Sequence, residues 1–264
     1  MHPFHFGSAR QRLFGLYHPP ASPRASVEAV VICQPFGHEY IRAHRSIRNL
    51  AIRLSQAGCH VLRFDYFGCG DSAGDVRDAT FAQWQADVAT AVEELKEMSG
   101  AARVSLAGVR FGATVALLST VGRRDIDTLA LWDPVEGGTR YIQGILDLQR
   151  RWMVSRPRLT VPAGHKQEDE LLGFPLRPGL RRELEGIDLS RPAAYAARRA
   201  AIFNSSGMSS EAVAERLRAV PLPVTCETVA DDCAWDHPGS VHNAVLAAAT
   251  VESIGRCFET RRVA

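Results

Sequence analysis

Short apolar, β-branched runs recur along this chain and alternate with amphipathic stretches. The runs predict strands at 28–33, 60–64, 103–107, 128–132, 200–203 and 223–229. Their apolar character is continuous, which is typical of parallel strands buried on both faces. Helical patterns lie between or after them, at 39–57, 78–98, 111–122, 209–219 and 238–260. This alternation predicts a doubly wound α/β sheet with helices on both faces, with a possible antiparallel edge strand at 14–17.

The alternation stops between 135 and 198. This segment is rich in Arg and Pro, and it contains helical patterns at 138–155, 165–172 and 178–186 without a convincing strand. It can be a long connection, but its length is unusual for an idle loop in a compact domain. We therefore predict a helical lid at 135–198 over the carboxyl ends of the strands, where α/β sheets bind ligands. The core comprises 1–134 and 199–264.

Composition narrows the class of protein. The chain has 264 residues, of which 46% are hydrophobic and 23% charged, as expected of one globular domain. Its 31 basic and 29 acidic residues are interspersed, which argues against a nucleic-acid partner. It shows neither a secretory leader nor a run near the ~20 apolar residues of a membrane span. The six cysteines lack metal-ligand spacing, so we expect a cytoplasmic protein without metal or cofactor.

One segment has a pattern of residues that is typical of a catalytic site. Residues 103–112 read Arg-Val-Ser-Leu-Ala-Gly-Val-Arg-Phe-Gly, and a helical pattern follows at once. A strand, a G-x-X-x-G motif and a helix together form the layout of a nucleophile elbow. Gly108 and Gly112 let strand and helix approach closely, and the central residue, Arg110, is held in a strained turn.

With this elbow, the chain resembles the α/β-hydrolase superfamily and its serine-aminopeptidase-like branch. It is also similar to the hydrolase-like proteins associated with the exosortase system and with some biosynthetic gene clusters. The resemblance rests on Gln-Pro-Phe-Gly-His-Glu at 34–39, on Asp-Tyr-Phe-Gly-Cys-Gly-Asp-Ser-Ala-Gly at 65–74, on the elbow, and on Leu-Trp-Asp-Pro at 131–134. It implies an α/β-hydrolase fold with a mostly parallel central sheet.

The chain departs from this superfamily at the elbow. The superfamily has Ser, or sometimes Cys or Asp, at the position of Arg110. A guanidinium stays protonated and is not a useful nucleophile, so acyl-enzyme chemistry at this position is excluded. Arg110 either belongs to a decayed or repurposed elbow and points into solvent or pairs with a neighbour, or it is a fixed cation at the pocket floor that binds a carboxylate or phosphate.

The resemblance also implies positions for the remaining machinery. The superfamily's histidine follows the last strand, where this chain has His237. Its orienting acid can follow the strand after the elbow, which makes Asp133 the candidate partner of His237. Asp231, Asp232 and Asp236 compete for that role, or they simply cap the final helix.

The oxyanion hole implied by the resemblance combines the backbone N–H groups of Phe111 and Phe36. Pro35 stands where a glycine is common, but the donor at Phe36 remains. Cys69 follows the 60–64 strand at the same edge of the sheet. Near His237 or Arg110 its thiol would have a lowered pKa and could attack a substrate, although a free cysteine is more often inert packing.

Two functions remain open. The first is an atypical enzyme acting on an acyl, ester, thioester or peptide-like substrate, with Arg110 as anchor and His237 as general base. The second is an inactive pseudo-hydrolase that binds a metabolite, an acyl carrier or a protein partner. Either version expects a small-molecule or carrier-bound ligand, and the oligomeric state is not predicted.

Overall fold

An eight-stranded sheet forms the centre of the molecule. The computed structural model describes residues 1–22, 27–155, 170–189 and 194–259. The strands of the sheet are β1 His2–Ser8, β2 Gln11–His18, β3 Glu28–Cys33, β4 Cys59–Phe64, β5 Val104–Val109, β6 Ile126–Trp132, β9 Arg199–Asn204 and β10 Val224–Thr228. Their order is β1-β2-β4-β3-β5-β6-β9-β10. Only β1 and β2 run antiparallel to their neighbours, so the predicted, mostly parallel sheet is confirmed.

Helices cover both faces of this sheet. They are α1 His38–Gln56, α2 Phe81–Ser99, α3 Phe111–Leu118, α4 Gly138–Val154, α5 Pro178–Glu185, α6 Glu211–Arg218 and α7 Ala248–Glu259. Side chains of α1 and α7 join one core, and those of α2, α3 and α6 join the other. Along β3 the side chains alternate between the two, since Val31 belongs to one core and Val30 and Ile32 to the other. Every residue of β3 is buried, which explains its continuous apolar run.

Three elements differ from the sequence prediction. The N-terminal segment forms a hairpin of two strands, because β1 pairs in full register with β2. The helix predicted at 165–172 is wrong at 170–171, where β7 Glu170–Leu171 pairs with β8 Phe174–Pro175; residues 165–169 lie outside the described part.

The last helix is also shorter than predicted. Only a 3₁₀ turn, Pro238–Ser240, precedes α7, which begins at Ala248. The segment between the 3₁₀ turn and α7 is not helical and packs against α1. There the N–H of Val245 donates to the carbonyl of Arg42, and that of Ala247 donates to the hydroxyl of Ser46.

The described parts of the predicted lid pack closely together. Gly138 opens α4 so near α5 that an added Cβ would lie 1.6 Å from the carbonyl oxygen of Leu184. Tyr141 and Ile142 are buried on the inner side of α4. The division of the chain into a core and a lid stays a prediction.

Candidate functional site

The bend between β5 and α3 has the backbone of a nucleophile elbow. Arg110 occupies it with φ 52° and ψ −124°, a conformation that is rare for a residue with a side chain. A Cβ on Gly108 would lie 2.4 Å from the Cα of Ala113, and one on Gly112 would lie 2.3 Å from the carbonyl oxygens of Cys33 and Gln34. The two glycines therefore bring strand, helix and the loop after β3 into close contact.

The guanidinium of Arg110 is bound within the protein. Its Nε donates to Oε1 of Glu39 at 2.9 Å, and its Nη1 donates to the carbonyl oxygen of Asp133 at 3.3 Å. The Arg110 side chain is 12% exposed and that of Glu39 is 2% exposed. Burial by itself lowers the pKa of Arg110, but Glu39, Tyr141 and Asp133 outweigh it, so this pKa is raised and the group stays charged.

Glu39 links the elbow to α4. It lies in the first turn of α1, and its second oxygen, Oε2, accepts a hydrogen bond of 2.9 Å from the Tyr141 hydroxyl. The ring of Tyr141 stacks on Phe111 with centroids 5.4 Å apart and planes 12° apart. Because burial and the nearby carboxylate raise the pKa of Tyr141 well above its usual value, its hydroxyl is a permanent donor here.

Trp235 closes the other side of the elbow. Two guanidinium groups lie over its indole, with the Cζ of Arg110 at 5.3 Å and that of Arg42 at 5.4 Å from the ring centre. Its Nε1 donates to Oδ2 of Asp133 at 2.8 Å. We call Arg110, Glu39, Tyr141, Trp235 and Asp133 the elbow cluster. The cluster contains two carboxylates and one guanidinium, and Arg42 lies beside it as a second positive charge.

The structure does not bring Asp133 and His237 together. Asp133 is fully buried, and it accepts hydrogen bonds from the backbone N–H of Ser205 (2.8 Å), the Ser205 hydroxyl (2.6 Å) and Trp235. His237 is exposed, and its Nδ1 accepts from the N–H of Gly239 at 3.2 Å as the cap of the 3₁₀ turn. Within the described residues, His237 forms no hydrogen bond to an acid.

The competing acids also have local roles. Asp231 accepts from the N–H and the hydroxyl of Thr250, and so caps the start of α7. Asp232 accepts from the N–H of Ala234. Asp236 is exposed at the rim of the space above Arg110.

Cys69 lies apart from the elbow cluster. Burial, with Asp65 and Asp87 nearby, raises the pKa of its thiol to about 12, which is the opposite of nucleophile activation. The backbone N–H groups of Phe36 and Phe111 have no hydrogen-bond partner within the described ranges, so both remain available as donors. The Phe36 ring itself packs on Trp84 at 5.1 Å.

Two cavities adjoin this region. The larger, about 680 Å³, lies over the guanidinium of Arg110, and we call it the Arg110 cavity. Its charged lining includes Arg140, Glu136, Glu211 and Asp236. The smaller, about 270 Å³, lies beside Phe36 and includes Cys69, and we call it the Phe36 cavity.

Sequence reasoning missed most partners of Arg110. Glu39 belongs to the motif at 34–39, and its negative charge there could have identified it as a candidate partner of Arg110. His38, also in that motif, is buried and lines the Arg110 cavity, and its Nε2 has no partner among the described residues. Burial lowers its pKa to about 4 against an opposing effect of Glu39, and Arg42 and Arg110 add to the lowering. Nothing in the sequence pattern pointed to Tyr141 or Trp235.

The comparisons with known proteins agree with this geometry. Residues 25–185 match the family model described as "Serine aminopeptidase, S33". Alpha/beta hydrolase domain-containing protein 10 from mouse is 15% identical with a TM-score of 0.64, over 99% of this chain and 98% of that one. Est1E from Butyrivibrio proteoclasticus, solved with ferulic acid, is 16% identical with a TM-score of 0.65, over 98% and 97%.

A soluble variant of monoglyceride lipase from Saccharomyces cerevisiae, solved with a substrate analogue, is 12% identical with a TM-score of 0.65, over 98% of this chain and 93% of that one. No curated protein sequence matches this chain. The comparisons confirm the predicted α/β-hydrolase fold and superfamily. None of the described helices is both long and apolar enough to cross a membrane.

Proposed function

The chain belongs to the serine aminopeptidase, S33 family, and from the arginine at its elbow we propose that it binds a small carboxylate- or carbonyl-bearing molecule without acyl-enzyme chemistry. The observation that carries this proposal is the buried pair of Arg110 and Glu39, 2.9 Å apart where the superfamily places its nucleophile. A guanidinium is a permanent hydrogen-bond donor and not a nucleophile, so Arg110 can bind a carbonyl or carboxylate oxygen but cannot attack a substrate.

The neighbouring nucleophiles support the absence of acylation. The Ser205 hydroxyl is fully buried and donates to Asp133, while Cys233 lies 3.0 Å from the same hydroxyl. Burial raises the pKa of Cys233 to about 12, as it does for Cys69. Neither thiol is poised as a thiolate near neutral pH.

Arg110 retains a binding edge. Its Nε and Nη1 are occupied, whereas its Nη2 has no hydrogen-bond partner among the residues that the structure describes. Arg110 lines the Arg110 cavity of about 680 Å³, so its Nη2 can donate a hydrogen bond to a carbonyl or carboxylate oxygen of a ligand there. Glu211 is paired with Arg218. The carboxylates of Glu136 and Asp236, however, outnumber the one further cation among the described residues of the wall, Arg140, and favour a ligand that also carries an amine. An amino-acid-like or peptide-like molecule has both features.

A second candidate, hydrolysis or proton transfer without a serine, is favoured by His38. Its imidazole is neutral at pH 7, lines the same cavity and has an unpaired Nε2 that could accept a proton. A general base works best with a pKa near the operating pH, and a value of about 4 is too low for efficient proton abstraction. Binding therefore ranks first.

The test combines labelling with titration of small carboxylates. A fluorophosphonate probe should label no residue of the wild-type protein. Calorimetric titration with benzoate, phenylalanine and ferulate, the last being bound in the structure of the similar protein Est1E, should give saturable binding for at least one. Labelling of any serine, or failure of all three to bind, would contradict the proposal.

The matched variants locate the site. In the double variant Arg110→Met/Glu39→Gln both buried charges are removed, and we expect binding to weaken by about tenfold or more, because a charge-assisted hydrogen bond is lost. His237→Ala is the control and should bind within about twofold of wild type. Ester turnover that disappears in His237→Ala would establish the enzyme instead.

A further inference from the structure

We propose that the Phe36 cavity is a second binding site, which takes a neutral and largely apolar molecule carrying one hydrogen-bond donor. The cavity lies between the loop after β3, the loop after β4 and Phe174 of β8. The first turn of α1 separates it from the Arg110 cavity: Tyr40 and Ile41 line the Phe36 cavity, whereas His38 and Glu39 line the other. The two sites are therefore distinct.

Apolar side chains make up most of its wall. Phe36, Ile41, Val76 and Phe174 all line the cavity. Phe36 is 4% exposed and is held between the rings of Trp84 at 5.1 Å and Phe174 at 6.4 Å, so the wall is rigid. A dry cavity of about 150 Å³ is enough to bind benzene. The volume here, about 270 Å³, thus suits a substituted benzene or a short alkyl chain.

The polar groups of the wall determine what else the ligand needs. The Asp65 carboxylate already accepts three hydrogen bonds, from Nε2 of Gln34 (3.0 Å), the Tyr40 hydroxyl (2.9 Å) and the N–H of Asp71 (3.0 Å). The Tyr66 hydroxyl is buried and has no hydrogen-bond partner among the described residues. With three of its roughly four acceptor positions filled, Asp65 can offer a cation at most one hydrogen bond, and its negative charge disfavours an anion.

Besides the Tyr66 hydroxyl, which can donate or accept, the described residues of the wall have one unpaired buried side-chain atom that can only accept. Gln34 is 3% exposed, and its Oε1 has no hydrogen-bond partner among the described residues. The amide orientation follows from its neighbours, because Nε2 faces the carbonyl of Phe64 and the carboxylate of Asp65, both of which are acceptors. The unpaired atom is therefore the oxygen. A buried carbonyl oxygen is stabilised by a donor, which a phenol, an alcohol or an amide N–H supplies.

A pair of probes tests the donor requirement. We expect 4-ethylphenol to bind the full-length protein saturably in a ligand-observed NMR titration. The ether 4-ethylanisole has a similar apolar body but no donor, and it should bind about fivefold or more weakly. Equal affinity for the two probes, or no saturable binding of the phenol, would overturn the proposal.

Substitutions at the mouth of the cavity place the site. Ile41 is 63% exposed, so its replacement spares the core. Ile41→Trp should block the mouth and weaken 4-ethylphenol by about tenfold, whereas Ile41→Ala should keep the affinity within about threefold. Melting temperatures of both variants verify folding. Unchanged binding in Ile41→Trp would place the phenol outside the Phe36 cavity, and competition between 4-ethylphenol and benzoate would show that they share one site. Either result would refute a separate site.

Discussion

Two loops leave the same edge of the sheet and place their candidate functional side chains in opposite environments. The elbow after β5 buries Arg110 within a cluster of ion pairs and aromatic rings, whereas the loop after β10 leaves His237 exposed. At the elbow, the close contacts of Gly108 and Gly112 fix the backbone, and these contacts do not depend on which side chain occupies the bend. A base and its acid, by contrast, depend on where each loop places its side chain. The comparison teaches that the backbone of the elbow does not depend on a nucleophilic side chain at the bend, whereas a base and its acid depend on the placement of two separate loops.

The largest expected effect on the free energy of unfolding comes from a substitution that breaks the elbow cluster. Arg110→Met leaves the Glu39 carboxylate buried without its cation, and removing one partner of a buried pair costs about 3–5 kcal/mol in the free energy of unfolding. Urea denaturation measures this loss. The double variant Arg110→Met/Glu39→Gln should be more stable than Arg110→Met alone, because no unpaired charge remains. A single variant within about 0.5 kcal/mol of wild type would show that the pair is not buried.

An intermediate effect concerns pH. Burial lowers the pKa of His38 to about 4, below its value of 6.5 in an unfolded chain. Between these two values the unfolded state binds more protons, so stability is present above pH 6.5 and falls as the pH drops towards 4. We expect His38 to account for a loss of about 2 kcal/mol between pH 7 and 4.5, measured by urea denaturation.

The matched variant for this prediction is His38→Asn, which cannot titrate in this range. It should flatten the pH dependence of stability without abolishing it, because His18 also has its pKa lowered to about 4, chiefly by burial. If His38→Asn leaves the pH dependence of the free energy of unfolding unchanged, the His38 imidazole is hydrated in the folded state by water in the Arg110 cavity.

The smallest effect is expected at His237. Since its imidazole is exposed and only caps a 3₁₀ turn, His237→Ala should change the free energy of unfolding by less than about 1 kcal/mol. Equilibrium denaturation at pH 7 checks this value. A loss of several kcal/mol would place His237 within the elbow cluster and sharpen the case for an enzyme.

Much of the fold could be predicted because it depends on local patterns. The run at 28–33 was bounded correctly, and continuous apolarity indicated a strand with two buried faces. The bend at Arg110 followed from two glycines at fixed spacing, since only a residue without Cβ tolerates contacts of 2.3–2.4 Å. The late start of α7 was missed, because it depends on hydrogen bonds to α1, which lies about 200 residues earlier.

The sequence by itself determined the sheet, the elbow and the absence of a nucleophile at position 110, because strand burial, glycine packing and guanidinium chemistry are properties of short segments. Only the tertiary structure decided what Arg110 does. Glu39, Tyr141 and Trp235 reach it from α1, α4 and the loop after β10, and no local pattern relates those segments. The same long-range packing holds Asp133 against Ser205 and Trp235, and so leaves His237 without it.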